Sequence, residues 1–140
     1  MIKGRLIAES LRVGHDVRVT GLTVARLGRH DVTGSTTPFE SVTEDGAGPP
    51  VGASASQPSI WTFVDFEAPD ERADELGEAL AHALISENGW WADFVVGEDH
   101  VVVFANMVFR YRMGDVDARK AAVDYGLAAG TPRHQLDWGD

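Results

Sequence analysis

Three adjacent pairs of histidine and aspartate are the residue combinations best suited to chemistry. They are His15-Asp16, His30-Asp31 and Asp99-His100. A carboxylate beside an imidazole can orient it for proton transfer, or both groups can ligate a metal ion. Each pair falls at a predicted turn or strand end, where polar residues are common for structural reasons. We predict no metal site; a minor alternative is a site built from some of His15, His30, His100 and His134.

Catalysis, if present, would depend on Asp93, His100 and His134, the weak candidates for a small hydrolase or isomerase. Such an enzyme requires a concave pocket in which His100 or His134 meets Asp93 or Asp99. The chain contains no cysteine, which excludes a cysteine nucleophile, disulfides and thiolate metal sites. It also contains no G-x-S-x-G, no H-E-x-x-H and no phosphate-binding glycine loop. The sequence therefore favours a protein that is not an enzyme, and no cofactor is predicted.

The stretch GDVDARKAAVDYG resembles a calcium loop only in its first two acidic positions, Asp115 and Asp117. The third ligand position is Arg119, the glycine position is Lys120, and the final glutamate position is Gly126. Arg119 and Gly126 have no side-chain oxygen that could bind calcium, and Lys120 replaces the glycine that the loop needs for its sharp turn. The calcium motif is therefore excluded. The same stretch is typical of a helix that begins at Asp115.

Two adjacent tryptophans, Trp90 and Trp91, raise the question of what covers the second ring. Consecutive side chains of a strand point to opposite faces, so the two cannot share one core. We predict a hairpin with Asn106-Met107 as its turn, preceded by a three-residue loop at 97–99. This register places Trp90 in the core with Ala92, Phe94 and Val96. A two-residue loop would bury Asp93 beside Phe104 without a partner, which is costly.

The opposite face of that predicted sheet is the expected partner face. It contains Trp91, Asp93, Val103, Arg110 and Arg112, and Asp93 with Arg110 is its best charged pair, more simply a structural bridge than a catalytic couple. The face is too apolar to be left in water. We expect the N-terminal strands or the long loop to cover it; a second copy of the chain and a bound ligand are the alternatives.

The remaining pattern predicts an α+β fold. Residues 2–11 and 17–29 indicate strands, and a Gly/Ser/Thr/Pro-rich flexible loop is expected at about 33–59. A strand follows up to Pro69, and an amphipathic helix of about four turns runs from Asp70 towards a stop at Asn88-Gly89. Three strands and a helix ending at Gly130 complete the order β-β-(long loop)-β-α-β-β-β-α. We expect an antiparallel sheet packed against two helices on one face, with Trp138 docked on the body.

Length and charge limit the partners. The 140 residues indicate a single domain, 1–140, with 44% hydrophobic residues and a net charge of −10. That charge argues against nucleic acid and against an anionic membrane surface. Residues 1–30 carry six basic and two acidic side chains, so the acidity lies in the rest of the chain. With no apolar leader segment, the expected location is the cytoplasm.

The stretches VVVFANMVFRYRMGD and ARKAAVDYGLAAGTPRHQLDW resemble the C-terminal signature of a family of small bacterial proteins with no assigned activity. GRLIAESLRVG and GWWADF are similar to other parts of that family. The resemblance implies a free-standing bacterial domain and transfers no functional residue.

These observations favour a non-enzymatic cytoplasmic binding module, expected to be a homodimer or to bind another protein through the Trp91 face. One alternative is an acidic immunity-type or decoy protein that captures a basic partner. The other is the small hydrolase or isomerase using histidine and carboxylate side chains.

Overall fold

A six-stranded antiparallel sheet with two helices forms the body of the protein, in a computed structural model that describes residues 1–32 and 57–138. This confirms the α+β prediction. Residues 33–56, the greater part of the predicted loop, lie outside the described residues. The strands are β1 (Ile2–Ile7), β2 (Thr23–Asp31), β3 (Ile60–Ala68), β4 (Trp91–Val96), β5 (Asp99–Phe104) and β6 (Met107–Arg112); the helices are α1 (Ala73–Ala83) and α2 (Val116–Ala128).

The strand order across the sheet is β2-β3-β1-β4-β5-β6, so the first strand of the chain lies near the centre. β1 pairs with β3 on one side and β4 on the other. It is shorter than predicted because a 3-10 turn at Ala8–Ser10 follows it, and the Ser10 hydroxyl donates to the Ile7 carbonyl at 2.5 Å. β2 begins at Thr23 instead of residue 17, and forms one edge of the sheet.

Helix α1 is shorter than its sequence pattern indicates. A 3-10 turn at Asp70–Arg72 precedes it, and Leu76 and Leu80 are buried on its inner side. The prediction that it continues to Asn88-Gly89 was wrong. The chain turns extended at Leu84, which forms an isolated bridge with Leu11, and these sheet-like bonds take the place of another helical turn.

Helix α2 agrees with its prediction. The Asp115 side chain accepts a hydrogen bond from the Ala118 backbone N–H at 3.0 Å, which caps the first turn. Gly130 has a φ of 96°, a left-handed conformation that glycine adopts readily after a helix end. Among the described residues, no helix combines the length and apolar character needed to cross a membrane.

The two helices lie on opposite faces of the sheet, which corrects the expectation of one shared face. On the α1 face, Leu76 and Leu80 pack in one core with Phe94, Val101 and Val103. On the α2 face, a second core joins Ala122 with residues of β5, β6 and the C-terminal segment; its buried members are Val102, Phe104, Tyr111, Ala122, Leu136 and Trp138. The sheet is therefore a central layer between two helices.

The register of β4 to β6 also differs from the prediction. Val96 pairs with Asp99, so the loop between β4 and β5 has two residues instead of three. Phe104 pairs with Met107, so the next turn is shifted by one residue from the predicted position. Both turns use left-handed residues, Gly97 at φ 56° and Asn106 at φ 63°.

The shorter loop moves Trp91 and Asp93 onto the α2 face, opposite Phe104 and Val102. Trp90 is buried, as predicted, but it precedes β4 and packs against Trp61 instead of joining the core of Ala92, Phe94 and Val96. The predicted division of β5 and β6 into two faces is correct, because the one-residue shift of the turn changes the pairing without exchanging the faces.

Candidate functional site

A cleft of about 730 Å³ opens on the α2 face of the sheet. Helix α2 and the C-terminal segment cover the part of this face formed by β5 and β6, and the part formed by β1 and β3 borders the cleft. Arg5, Phe63 and Asp65 contribute to the lining from β1 and β3, and Asp93 from β4. The C-terminal segment contributes residues 134–135 and 137–138.

All four tryptophans of the chain line this cleft. The rings of Trp61 and Trp90 lie 5.3 Å apart between centroids, and those of Trp91 and Trp138 lie 5.1 Å apart, edge to face. Aromatic contacts of this geometry add to the stabilisation from burial. The two pairs give the cleft rigid apolar walls.

Trp138 answers the question of what covers Trp91. Its indole N–H donates to the Tyr111 hydroxyl at 2.7 Å, and its carbonyl accepts from the Arg119 guanidinium at 2.9 Å. The same guanidinium lies 5.2 Å from the centroid of the Trp138 ring, within range of a cation–π interaction. The predicted docking of Trp138 is confirmed. The cover is therefore the C-terminal segment, which was not among the three covers considered from the sequence.

Asp93 and His100 form the clearest polar pair of the cleft. The His100 Nε2 and Asp93 Oδ2 atoms are 2.8 Å apart. His100 is only 1% exposed and lies beneath Trp138, with ring centroids 6.4 Å apart, whereas the Asp93 side chain is 25% exposed and lines the cleft. When Asp93 is ionised, the imidazole N–H is the donor of this bond. The Asp93 carboxylate therefore faces the cleft, and the buried His100 holds its orientation.

A charged pair, Arg5 with Asp65, adjoins it. The Arg5 guanidinium donates to both oxygens of Asp65, at 2.6 and 3.1 Å. These bonds and the charges of Arg5 and Arg26 hold the pKa of Asp65 below its ordinary value, although partial burial opposes them. The bond to Asp65 raises the pKa of Arg5, and Asp93, its cross-strand neighbour, contributes to the same shift.

The predicted partner face does not exist as one surface. Trp91 and Asp93 lie on the α2 face, whereas Val103, Arg110 and Arg112 lie on the α1 face. The predicted pair of Asp93 with Arg110 was therefore wrong. Arg110 bonds instead to Asp99 at 2.8 Å and reaches Asp74 at 3.4 Å.

The histidines of the minor metal-site alternative are distributed over the molecule. His134 lines the cleft, and His100 lies behind Asp93. His30 packs against Phe63 at 5.3 Å, and His15 packs against His82 at 5.6 Å. Within residues 1–32 and 57–138, no group of three potential metal ligands comes together.

Sequence reasoning missed the part of the cleft supplied by β1 and β3. In β3, alternate residues Trp61, Phe63 and Asp65 lie on the α2 face, while Phe66 belongs to the core under α1. The alternation was visible in IWTFVDFEA. The missing information was the pairing of β1 with both β3 and β4, which brings Arg5 between Asp65 and Asp93.

Comparison with family models, with curated proteins and with solved structures found no match for this chain.

Proposed function

We propose that the protein binds a small organic molecule in the cleft on the α2 face. The observation that carries this proposal is the convergence of all four tryptophans on one concave site. A volume of about 730 Å³ falls within the range of small-molecule sites, which are mostly apolar with a few placed polar groups. Asp93, backed by His100, is such a group.

The anchoring of the cleft wall supports binding without large rearrangement. Trp138 is held by a side-chain bond to Tyr111, a backbone bond to Arg119 and ring contacts on two sides. Gln57 and Gln135 are buried against each other, with Gln135 Nε2 donating to Gln57 Oε1 at 3.0 Å. A wall held in place before binding reduces the entropy lost on association.

The sequence also predicted a non-enzymatic binding module. That prediction placed binding on the Trp91 face, whereas the present proposal places it in the cleft. Homodimerisation and capture of a basic protein partner both stay predictions. The latter would be recognised by binding that weakens strongly as salt is added.

Acid–base catalysis in the same cleft is the second candidate function. One observation favours it: a histidine lies 2.8 Å from a carboxylate that lines a concave site, which is the arrangement required of a small hydrolase or isomerase. In that role Asp93 would exchange a proton with the substrate, and His100 would position it.

A fragment library tests the binding proposal. Because every tryptophan lines the cleft, ligands should shift the indole N–H signals in ¹⁵N-resolved NMR spectra and change the intrinsic emission. Trp61→Leu should weaken the binding of such fragments by removing a ring from the wall. Leu27→Ala, at an exposed position of β2 outside the cleft, is the control and should leave binding unchanged. A diverse library with no fragment acting on the indole signals would contradict the proposal.

A further inference from the structure

We infer that the ligand of this cleft is an organic cation, an amine or a related positively charged group attached to a flat apolar body. The inference rests on the proposed binding function and specifies the class of molecule that the site accepts. Three features of the cleft support it: its charge balance, its aromatic surfaces and the position of one carboxylate.

The charge balance of the cleft is negative. Among the described residues that line it, four are acidic, two are lysine or arginine, and one is the histidine His134. The basic side chains are Lys3 and Arg5, and both face acidic partners directly across the sheet: Lys3 is opposite Glu67, and Arg5 is opposite Asp65. Arg5 also faces Asp93 across the sheet, so these two cations stand against four carboxylates, and the resulting negative charge attracts a cation from solution.

The aromatic walls suit a cation as well. The π face of an aromatic ring carries partial negative charge and attracts ammonium and guanidinium groups. The protein already uses this interaction twice at the cleft: the Arg5 guanidinium lies 5.1 Å from the Phe63 ring, and Arg119 lies 5.2 Å from the Trp138 ring. Trp61 and Trp91 line the same space and are only partly buried.

Asp93 is the carboxylate best placed to meet the charge of the ligand. It lies between the Arg5–Asp65 pair and Trp91, in a strand near the middle of the sheet. One of its oxygens, Oδ2, is held by His100, which fixes the orientation of the group before a ligand arrives. A fixed carboxylate flanked by aromatic rings binds an ammonium group with less loss of side-chain entropy than a mobile one.

A matched series of probes tests the inference: 2-phenylethylamine, 2-phenylethanol and 3-phenylpropanoate, which share a ring and differ in charge. Titrations are followed by the indole N–H signals. We expect the amine to bind at least about tenfold more tightly than the alcohol, and the carboxylate to bind most weakly. The affinity for the amine should fall as salt is added, whereas that for the alcohol should not.

Two variants locate the effect. Asp93→Asn keeps the shape and the bond from His100 but removes the charge, and it should abolish the preference for the amine over the alcohol. Asp74→Asn removes the same charge from an exposed position of α1 outside the cleft, and the preference should persist. If Asp93→Asn does not fold, the test is the salt dependence of the native protein, in which added salt should weaken binding of the amine but not of the alcohol.

The outcomes separate the two proposals. If the alcohol or the carboxylate binds as tightly as the amine, or if Asp93→Asn retains the preference, the cation inference is wrong while the cleft is still a binding site. If neither these probes nor the fragment library affects the indole signals, the proposed binding function itself fails.

Discussion

The Trp138 indole N–H donates to the Tyr111 hydroxyl at 2.7 Å, so the C-terminal segment is tied to the last strand of the sheet. Both side chains are buried, Trp138 at 4% exposure and Tyr111 at 7%. A buried indole N–H or hydroxyl needs a hydrogen-bond partner, and here the Trp138 N–H and the Tyr111 hydroxyl are partners of each other. This bond holds in place the segment that shields Trp91 and forms one wall of the cleft.

Removal of the Trp138 ring should therefore lower the free energy of unfolding more than removal of a surface side chain does. We expect Trp138→Ala to lower the free energy of unfolding by about 3–5 kcal/mol, as for other buried aromatic residues. Tyr111→Phe removes only the hydroxyl and leaves the indole N–H unsatisfied, so its cost should be about 1–3 kcal/mol. Urea unfolding followed by circular dichroism measures both, and equal costs would contradict the anchoring role of the ring.

The adjacent tryptophans should differ in their effects on stability. Trp90 is buried against Trp61, and Trp90→Ala should cost about 3–5 kcal/mol. Trp91 is only partly buried, and Trp91→Ala should cost clearly less. Thermal unfolding of the two variants at the same protein concentration gives the comparison.

Trp91 also bears on the predicted homodimer. From the sequence alone, Trp91→Ala would be expected to weaken association. Since Trp91 packs on Trp138 of its own chain, we now expect the substitution to leave the oligomeric state unchanged. Native mass spectrometry over a range of protein concentrations measures it, and a shift from dimer to monomer in the variant would restore the original expectation.

Gly4 lies where β1 is closest to its neighbours. A Cβ at this position would lie 2.5 Å from the Asp93 carbonyl oxygen and 2.5 Å from the Phe94 Cβ. Gly4→Ala should destabilise the protein by at least about 1–3 kcal/mol, the usual cost of overpacking. Gly28→Ala in β2 is the control, because its nearest contact is the His30 side chain at 3.1 Å, which can move. Similar melting temperatures for the two variants would contradict the close packing of β1 against β4.

The Arg5–Asp65 pair should make stability depend on pH in the acidic range. Because the pKa of Asp65 is lower in the folded state than its ordinary value of 3.8, its contribution is complete above that value and is lost as the pH falls below it. Arg5 is half-exposed, so the contribution should be about 1 kcal/mol or less. Asp65→Asn should flatten the acid limb of the stability curve; an unchanged curve would show that the pair is energetically neutral.

The sequence was sufficient for the type and order of the elements, but not for the end of α1, the register of β4 to β6 or the placement of the helices on opposite faces. Helix α2 followed directly from its cap at Asp115, and the faces of β5 and β6 followed from alternation. The error concerned the loop before β5, where a two-residue connection was rejected because it buried Asp93. With two residues in the connection, alternation along β5 also places His100 on that face, and there it pairs with Asp93.

The arrangement of the N-terminal strands was beyond the sequence for a different reason. β1 and β3 are separated by more than 50 residues, and β2 lies between them in the chain. Local patterns report on the turn between neighbouring strands, not on pairing over such distances. The Arg5–Asp65 bond and most of the cleft depend on that pairing.

The central position of β1 has a consequence for the order of folding. β4, β5 and β6 are joined by two-residue turns and can pair as a local unit, whereas β1 must wait for β3 and β4, which lie far along the chain. During synthesis the first strand therefore has no partner until β3, which ends at Ala68, has been made, and its other edge stays unpaired until β4, which ends at Val96, has followed. Topologies with such distant contacts fold slowly and expose strand edges meanwhile. The cleft, which straddles β1, would then be among the last parts of the molecule to form.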